Sequence, residues 1–351
     1  MPYYQREWNI ALGDQKSSNR KLRTCPATDE RQSNEPSPSS NVHVDKMKFT
    51  FKREMLKKQV EEIQNTKCSD PVKDDTNFPK YIIQKNTTIF QGKYLQIYPC
   101  SNVAYGENQL ICRIYHPNAI INPDSDLFLR ILRHLGKKHP FILPTMDIFS
   151  DENKQIYIFQ EFANKGNLTD YMRAKFVTEK QMAKWAQSIY RAMEYLGDVG
   201  IVHRSIQPKH ILLKATSDIE IIAKLSSFQV STIYWDPEAK DIIDQPCKPL
   251  SKRIYYGFQA PEVFGFPGEF FNPVDADLWS FGATMFFVVS RVYPYNLKTP
   301  SSNLDAEIEK SVAESKFTDG AKNFFLGVLQ ANTFKRTRFD AIVQNAWFKS
   351  S

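Results

Sequence analysis

Short apolar segments fill the chain from about residue 80 to residue 162, and longer helical patterns follow residue 167. Five segments have the alternation and the β-branched or aromatic content of strands: YIIQKNTTIF, KYLQIYPC, NQLICRIY, FILPTMDIF and QIYIFQEF. Helical periodicity marks DSDLFLRILRHLG, after the third strand, and later NLTDYMRAKF, EKQMAKWAQSIYRAMEYLGDVG, PVDADLWSFGATMFFVVS and DGAKNFFLGVLQA. This order predicts an α+β fold with two lobes. We expect a small lobe of five antiparallel strands and one helix over 80–162, and a larger helical lobe over 163–349.

Residues 1–78 differ from the rest because Ser, Pro, Asn and charged residues replace large apolar ones, as in SSNRKLRTCPATDERQSNEPSPSSN. Such a segment buries too little surface to offset its ordering entropy, so we expect a disordered, basic arm. Within it, residues 47–64 show roughly helical spacing of apolar side chains. These side chains are Phe51, Met55, Val60 and Ile63. We expect one solvated amphipathic helix there rather than a dedicated partner-binding helix.

Charge and cysteine content restrict the compartment and the partners. The formal charge is +7, from 46 Lys plus Arg against 39 Asp plus Glu, which is too diffuse to indicate nucleic-acid binding. The five cysteines show no C-x-x-C pair, which favours a reducing compartment over a disulfide framework and argues against structural zinc. No segment is long and apolar enough to span a bilayer. We expect a cytoplasmic protein, with the nucleus as the alternative, that binds neither nucleic acid nor membranes.

The stretch IVHRSIQPKHILL, residues 201–213, has the pattern of a protein-kinase catalytic loop, H-R-D-x-x-x-x-N, with two positions changed. Further landmarks follow in order: His203, Arg204, Pro208, the A-P-E motif at Ala260, Pro261 and Glu262, DLWSFG at 277–282, Arg336, and NAWF near the end. Together they resemble the eukaryotic protein-kinase superfamily over about residues 80–349. The helical-lobe motifs are most similar to the calcium/calmodulin-dependent group, and GFQAPEVF with DADLWSFGATMF is similar to testis-specific serine kinases.

The retained landmarks are those whose role in the family is structural. The resemblance implies that Glu262 pairs with Arg336, and that Asp277 accepts hydrogen bonds from the catalytic-loop backbone. It also implies that His203 and Phe228 belong to an apolar column between the lobes, with Leu132 above them. In the family Arg204 can bind a phosphate on the activation segment, although we favour local backbone bonding here. The candidate phosphate acceptors are Ser231, Thr232, Tyr255 and Tyr256.

The catalytic positions of the helical lobe have lost the groups that phosphoryl transfer requires. Ser205 stands at the catalytic aspartate and is far too weak an acid to be an anion near neutral pH. Gln207 replaces the catalytic-loop lysine, and His210 replaces the asparagine that binds the second metal ion. Ser227 replaces the magnesium-binding aspartate, and Gln229 the glycine, of D-F-G. Neutral hydroxyl and imidazole groups are poor magnesium ligands, so we expect no metal site.

The strand lobe shows matching changes. Arg113 stands at the lysine that orients the nucleotide, and Phe128 at the glutamate that holds this lysine, while Asp126 is two residues away on the helix. Of the three glycines in the phosphate-covering loop only Gly92 remains, with Phe90 and Leu95 in the other places. The resemblance implies a vestigial nucleotide pocket in which bulk reduces ATP affinity. Its residues are Gly92, Ile97, Ile111, Arg113, Gln160 at the gatekeeper position, and Leu212.

These losses predict a pseudokinase that scaffolds or allosterically regulates signalling proteins, binds ATP and magnesium weakly or not at all, and contacts an active kinase or its substrate. The alternative is an atypical, weakly active serine/threonine kinase that recruits substitute carboxylates. Asp126 and the acidic residues of DPEAKDIIDQ are the candidates for that role.

Overall fold

The computed structural model describes residues 40–73, 78, 80–102, 106–117, 125–248, 257–266, 268–295 and 303–349. The first half of the predicted arm, residues 1–39, lies outside these residues, as do the candidate phosphate acceptors Tyr255 and Tyr256. Within the described residues no helix is long and apolar enough to cross a membrane.

The small lobe is one twisted sheet with a single helix beside it. Its strands are β1 (Asp70–Pro71), β2 (Tyr81–Ile83), β3 (Phe90–Gln91), β4 (Leu95–Asn102), β5 (Gly106–Tyr115), β6 (Thr145–Ser150) and β7 (Ile156–Glu161), with helix α2 (Ser125–Leu135) between β5 and β6. The strand order is β1-β6-β7-β5-β4-β2, and β3 also pairs with β4. The five predicted segments therefore form strands, the first of them divided into β2 and β3.

The sheet has one feature beyond the predicted antiparallel strands. Strand β1 adds a parallel edge, in which Asp70 pairs with Phe149 and Pro71 with Ser150. Proline has no N–H to donate, which suits this short edge position. The small lobe thus begins before residue 80.

The large lobe is mainly helical. Its helices are α3 (Leu168–Ala174), α4 (Glu179–Asp198), α5 (Pro273–Ser290), α6 (Leu304–Glu314), α7 (Asp319–Val328) and α8 (Ala346–Lys349). Short strands connect them: β8 (Ile201–Val202), β9 (Ile211–Ala215), β10 (Ile221–Leu225), β11 (Thr232–Ile233), β12 (Trp235–Asp236), β13 (Asp241–Ile242), β14 (Gln245–Pro246) and β15 (Phe270–Phe271). Single 3-10 turns cover Pro208–His210 and Pro261–Val263, and a longer one covers Phe339–Gln344. The fold is therefore the predicted two-lobed α+β arrangement.

Helix α5 is the centre of the large lobe. Asn272 caps its start by accepting hydrogen bonds from the backbone of Val274 and Asp275, and Pro273 occupies the first turn, where no N–H is needed. Most of the helix is buried, in keeping with its almost uninterrupted apolar sequence. A Cβ atom on Gly282 would lie 2.5 Å from Cγ2 of Val328, so this glycine permits the close approach of α5 and α7.

The N-terminal helix overturns part of the prediction for the arm. Helix α1 (Ser40–Asn65) contains the predicted helix 47–64, and it is followed by β1, so this part of the chain forms secondary structure. Leu56, Val60 and Ile63 are buried, whereas Met55, predicted on the apolar face, is 43% exposed. The helix is therefore docked and not solvated, because these three side chains pack on the large lobe and α2.

Candidate functional site between the lobes

The catalytic-loop segment is held in shape by a buried carboxylate. Asp277, on α5, accepts hydrogen bonds from the backbone N–H groups of His203 at 2.6 Å and of Arg204 at 2.7 Å. Burial raises the pKa of Asp277 to about 7, although both hydrogen bonds act in the opposite direction. Arg204 adopts a left-handed backbone conformation, with φ of 64°. The carboxylate thus fixes a turn that an unsupported chain rarely adopts.

His203 links this loop to the segment after β10. Its Nε2 atom donates to the carbonyl of Ser226 at 2.9 Å, and its Nδ1 atom accepts from the backbone of Ser205 at 3.3 Å. Complete burial lowers its pKa to about 4, so the ring is neutral at pH 7. The ring meets Phe228 edge to face at 5.0 Å. His203, Phe228 and Leu132 are all buried, and Phe228 and Leu132 share one apolar core.

The substituted catalytic-loop residues bond mainly to one another. Gln207 Nε2 donates to Ser205 Oγ at 2.9 Å, and His210 Nδ1 donates to the carbonyl of Ser205 at 2.7 Å. Burial lowers the pKa of His210 to about 3, and the nearby His203, Lys209 and Arg113 add to this effect. His210 is therefore a neutral ring, and the Ser205 hydroxyl already accepts a hydrogen bond from Gln207.

The segment at the D-F-G position is joined to this loop through Ser226. Both the backbone N–H and Oγ of Ser226 donate to the carbonyl of His210 at 2.9 Å. Oγ of Ser227 lies 3.5 Å from Oγ of Ser226. Ser227 has φ of 70°, a left-handed conformation that costs a serine about 1–3 kcal/mol and persists because its surroundings impose it.

In the small lobe, Arg113 has no carboxylate partner within ion-pair distance among the described residues. It lies on β5 between Ile97 of β4 and Ile158 of β7, and its Nε atom is buried without a hydrogen-bond partner. Phe128, at the position of the expected glutamate, is buried and packs edge-on against Tyr115 at 6.2 Å. The hydroxyl of Tyr115 in turn accepts a hydrogen bond of 3.0 Å from Gln229. A neutral contact between the lobes thus lies where the family has an ion pair.

Asp126, the carboxylate proposed as a substitute, is exposed on α2 beside the link between α1 and β1. Its carbonyl oxygen accepts a weak hydrogen bond from Sγ of Cys68 at 3.7 Å. Burial, and secondarily the Asp126 carboxylate, raise the pKa of the Cys68 thiol. Asp126 therefore lies against Cys68 and not beside Arg113.

The phosphate-covering loop is closed by its own side chain. A Cβ atom on Gly92 would lie 2.9 Å from Cε1 of Phe90 and 3.2 Å from the carbonyl oxygen of Leu95. The Phe90 ring therefore packs on the remaining glycine. The backbone N–H of Gly92 donates to Leu95 O at 2.9 Å and is not directed to a ligand.

Large side chains occupy the end of the cleft where the family binds the nucleotide base. Ile111 and Gln160 face each other on β5 and β7 and are both buried. Nε2 of Gln160 donates to Oγ1 of Thr145 at 2.9 Å, which satisfies the amide inside the sheet. Leu212, on β9, is half-buried and pairs with Asn167 in an isolated bridge.

Sequence reasoning missed a three-residue ion network at the junction of the lobes. Glu161, the last residue of β7, is 2.9 Å from Nζ of Lys214 and 2.7 Å from Nζ of Lys224, on the hairpin β9–β10. Burial opposes ionisation of Glu161, but hydrogen bonds from both lysines outweigh it and leave the pKa below its usual value. The signal was a charged residue ending an apolar strand and a lysine inside each strand of an apolar hairpin.

Glu262 and Arg336 form a two-pronged ion pair in the large lobe. Nη1 and Nη2 of Arg336 lie 2.6 Å and 3.0 Å from the two carboxylate oxygens of Glu262. The same guanidinium donates to the carbonyl oxygens of Asp275 and Gln330 and lies over the ring of Trp279 at 5.1 Å. Both charges are satisfied, which is what a buried pair requires.

The residues of the cleft do not fit the magnesium ions that the family implies. The donor atoms at the metal positions are the hydroxyl of Ser227 and the neutral ring of His210, whereas magnesium prefers carboxylate oxygens. Among the described residues no three His, Cys, Asp or Glu side chains lie together as a metal site would need.

Comparisons with known proteins assign the class. Residues 83–348 match the profile of the family described as "Protein kinase domain", so the chain belongs to this family. It is 26% identical over 279 residues to CBL-interacting serine/threonine-protein kinase 26 of Arabidopsis thaliana, which covers 78% of this chain and 59% of the relative. It is 27% identical over 213 residues to protein kinase kin1 of Schizosaccharomyces pombe, which covers 60% of this chain and 22% of the relative. The chain therefore spans less than two thirds of these relatives.

Proposed function

We propose that this protein is a pseudokinase: a kinase-shaped module that contacts other proteins, such as an active kinase or its substrate, without transferring phosphate. The observation that carries this proposal is the bonding of the catalytic loop. Ser205, Gln207 and His210 are neutral and are engaged with one another. No negative charge stands at Ser205 or Ser227 to position a hydroxyl or a metal ion.

The magnitude of the loss supports inactivity. Removal of one group that stabilises the transition state typically costs about 2.7–4 kcal/mol, or two to three orders of magnitude in rate. The base, the lysine–glutamate pair and both metal ligands are replaced together. Because such groups act as a unit, their losses are not simply additive. Arg113 retains a positive charge, but no carboxylate among the described residues lies close enough to orient it.

Weak or absent nucleotide binding is part of the proposal. The Phe90 ring packed on Gly92 blocks the backbone approach that phosphates need, and Ile111 with Gln160 fills space over the base. We accordingly propose neither ATP nor magnesium as a cofactor. The proposal includes no contact with nucleic acid or membrane, and a cytoplasmic location with the nucleus as alternative.

The alternative is a weakly active serine/threonine kinase, which the names of the relatives favour. The unbonded Nε atom of Arg113 also leaves a cation in the cleft that a phosphate could use. Against this alternative, Asp126 lies beside Cys68. Asp236, Glu238 and Asp241 lie on the hairpin β12–β13, where Asp236 is half-buried and the other two are exposed. We also propose, for either function, that the chain is related to the calcium/calmodulin-dependent group and to testis-specific serine kinases.

Isothermal calorimetry of the full chain with ATP, with and without magnesium or manganese, tests the proposal. We expect no binding heat under any of these conditions and no incorporation of labelled phosphate. The matched variants are Arg113→Ala in the cleft and Arg338→Ala on the exposed surface, where Arg338 pairs with Asp340. Magnesium-dependent ATP binding and phosphate transfer that Arg113→Ala abolishes and Arg338→Ala retains would establish the active-kinase alternative.

A further inference from the structure

Helix α1 lies in a groove formed by three parts of the fold. One wall is α2, the second is the end of α4 with Gly200, and the third is the activation segment at Trp235. These three parts come from both lobes and from the segment that follows Phe228. Ser205, Ser227 and Arg113 form no part of the groove, so its occupancy does not depend on whether the cleft transfers phosphate.

The apolar floor of the groove matches a narrow stripe on α1. Leu56 and Val60 form a separate small cluster with Trp235, while Ile63, one turn further on, joins the main core. Gly200 has φ of 78°, and a Cβ atom there would lie 2.9 Å from Cγ2 of Val60. The groove is therefore complementary to a helix that presents aliphatic side chains at i, i+4 and i+7.

Polar side chains of α2 bind the carboxyl end of α1 and the link that follows it. Arg130 on α2 donates to the carbonyl oxygen of Gln64, in the last turn of α1, and Arg133 donates to the carboxylate of Asp70. Nε2 of His134 donates to Oε1 of Gln59 at 3.1 Å. Arginine at the carboxyl end of a helix satisfies open carbonyl groups and favours the helix dipole. One face of α2 is thus committed to α1.

The same helix reaches the activation segment. Ile233 and Tyr234 pack against the cluster of Leu56, Val60 and Trp235, and the hydroxyl of Tyr234 donates to the carbonyl of Gly197 at 2.7 Å. Trp235 begins the hairpin β12–β13. Contacts of one helix therefore join α2, which borders the cleft, to the segment that follows Phe228.

The contacts of α1 over residues 52–65 are confined to one narrow stripe. Over residues 52–65 its other side chains are mostly exposed, and the ion pair Lys52–Asp198, at 3.4 Å, is itself exposed. A helix with so narrow an apolar stripe owes its stability to packing and not to its own propensity. Only the short link 66–69 separates it from β1, so release of α1 leaves the sheet intact.

We propose that this groove is a helix-binding site which α1 fills in cis, and that an amphipathic helix of a partner protein with the same aliphatic spacing displaces it. The partner helix would carry aliphatic residues at i, i+4 and i+7, a polar amide one position before the middle one, and open carbonyl groups at its carboxyl end for Arg130. Replacement of α1 by the partner helix would change the contacts that hold α2 and the hairpin β12–β13 at the same time.

Hydrogen–deuterium exchange of the full chain tests the coupling. In Val60→Asp we expect about tenfold or faster exchange in α1, and also faster exchange in residues 130–135 and 235–242, because a buried acid expels the helix. The matched control is Met55→Asp, on the exposed side of the same helix, which should leave all three regions unchanged. Exchange within α5 reports global unfolding, and Val60→Ala provides a milder change if Val60→Asp unfolds the chain.

A synthetic peptide with the sequence of residues 47–66 tests the site in trans. We expect the Val60→Asp chain to bind this peptide at least about tenfold more tightly than the unmodified chain, whose groove is filled. Binding should restore slow exchange in residues 130–135, and a peptide carrying the same Val60→Asp change should not bind. Faster exchange limited to α1, or equal peptide binding by both chains, would overturn the proposal.

Discussion

Gln229 donates a hydrogen bond of 3.0 Å from Nε2 to the hydroxyl oxygen of Tyr115. This bond joins the segment after Phe228 to β5, and Tyr115 in turn packs against Phe128 of α2. In the family an ion pair between a lysine and a glutamate links the strand to this helix. Here neutral side chains connect the strand, the helix and the segment after Phe228.

Loss of the Tyr115 hydroxyl should weaken the fold measurably. We expect Tyr115→Phe to lower the free energy of unfolding by about 1 kcal/mol, since the half-buried Gln229 amide loses its partner. Urea unfolding followed by circular dichroism measures the change. Tyr98→Phe is the control, because the Tyr98 hydroxyl bonds to the nearby Gln96 at 3.1 Å and to the exposed Gln91 at 3.4 Å. An equal loss in both variants would contradict the linking role of Gln229.

The buried ion pair should contribute far more than an exposed one. Arg336→Met leaves the Glu262 carboxylate without its partner, and we expect a loss of about 3–5 kcal/mol in the free energy of unfolding. Arg338→Met removes a pair whose side chains are 84% and 71% exposed, and should cost less than about 1 kcal/mol. Chemical denaturation of both variants decides the point, and similar losses would refute it.

His203 should contribute to a loss of stability in mild acid, as should His210, whereas Asp277 acts in the opposite direction. The folded pKa of His203, about 4, lies below the ordinary value of 6.5, so between these values the unfolded chain binds the additional proton. The free energy of unfolding therefore decreases as pH falls through this window, by about 2 kcal/mol for this residue between pH 7 and pH 5. His203→Phe retains the backbone N–H that Asp277 binds. Urea titrations at pH 7 and pH 5 should show a smaller decrease in that variant, and identical decreases would contradict the assignment.

The network around Glu161 should hold the lobes together. Lys224→Met removes the more buried lysine and leaves Lys214 as the partner, so we expect a loss of about 2 kcal/mol in the free energy of unfolding. Lys310→Met is a control, because Lys310 pairs with Glu314 at 3.9 Å on an exposed helix face. Thermal unfolding compares the two, and a loss no larger than the control would show that Lys214 alone suffices.

Much of the fold could be predicted because local patterns carry it. Alternating segments such as KYLQIYPC and QIYIFQEF became β4 and β7, and the run PVDADLWSFGATMFFVVS became the buried α5. The face of α1 could not be predicted, since Met55 and Val60 satisfy a helical period about as well as Leu56 and Val60 do. Only the position of Gly200 and Trp235 decides which stripe is buried. The parallel strand β1 was missed because two residues give no periodic signal.

The amino-acid sequence by itself determined which chemical groups stand at the catalytic positions, because the motifs around Ser205, Ser227 and Arg113 are contiguous and an aspartate or lysine is either present or absent. Tertiary structure alone decided what these groups do instead. The contact of Gln229 with Tyr115 and the network of Glu161 with two lysines join residues far apart in the chain. Such contacts depend on how whole helices and strands pack, and the secondary-structure preferences of neighbouring residues do not determine them.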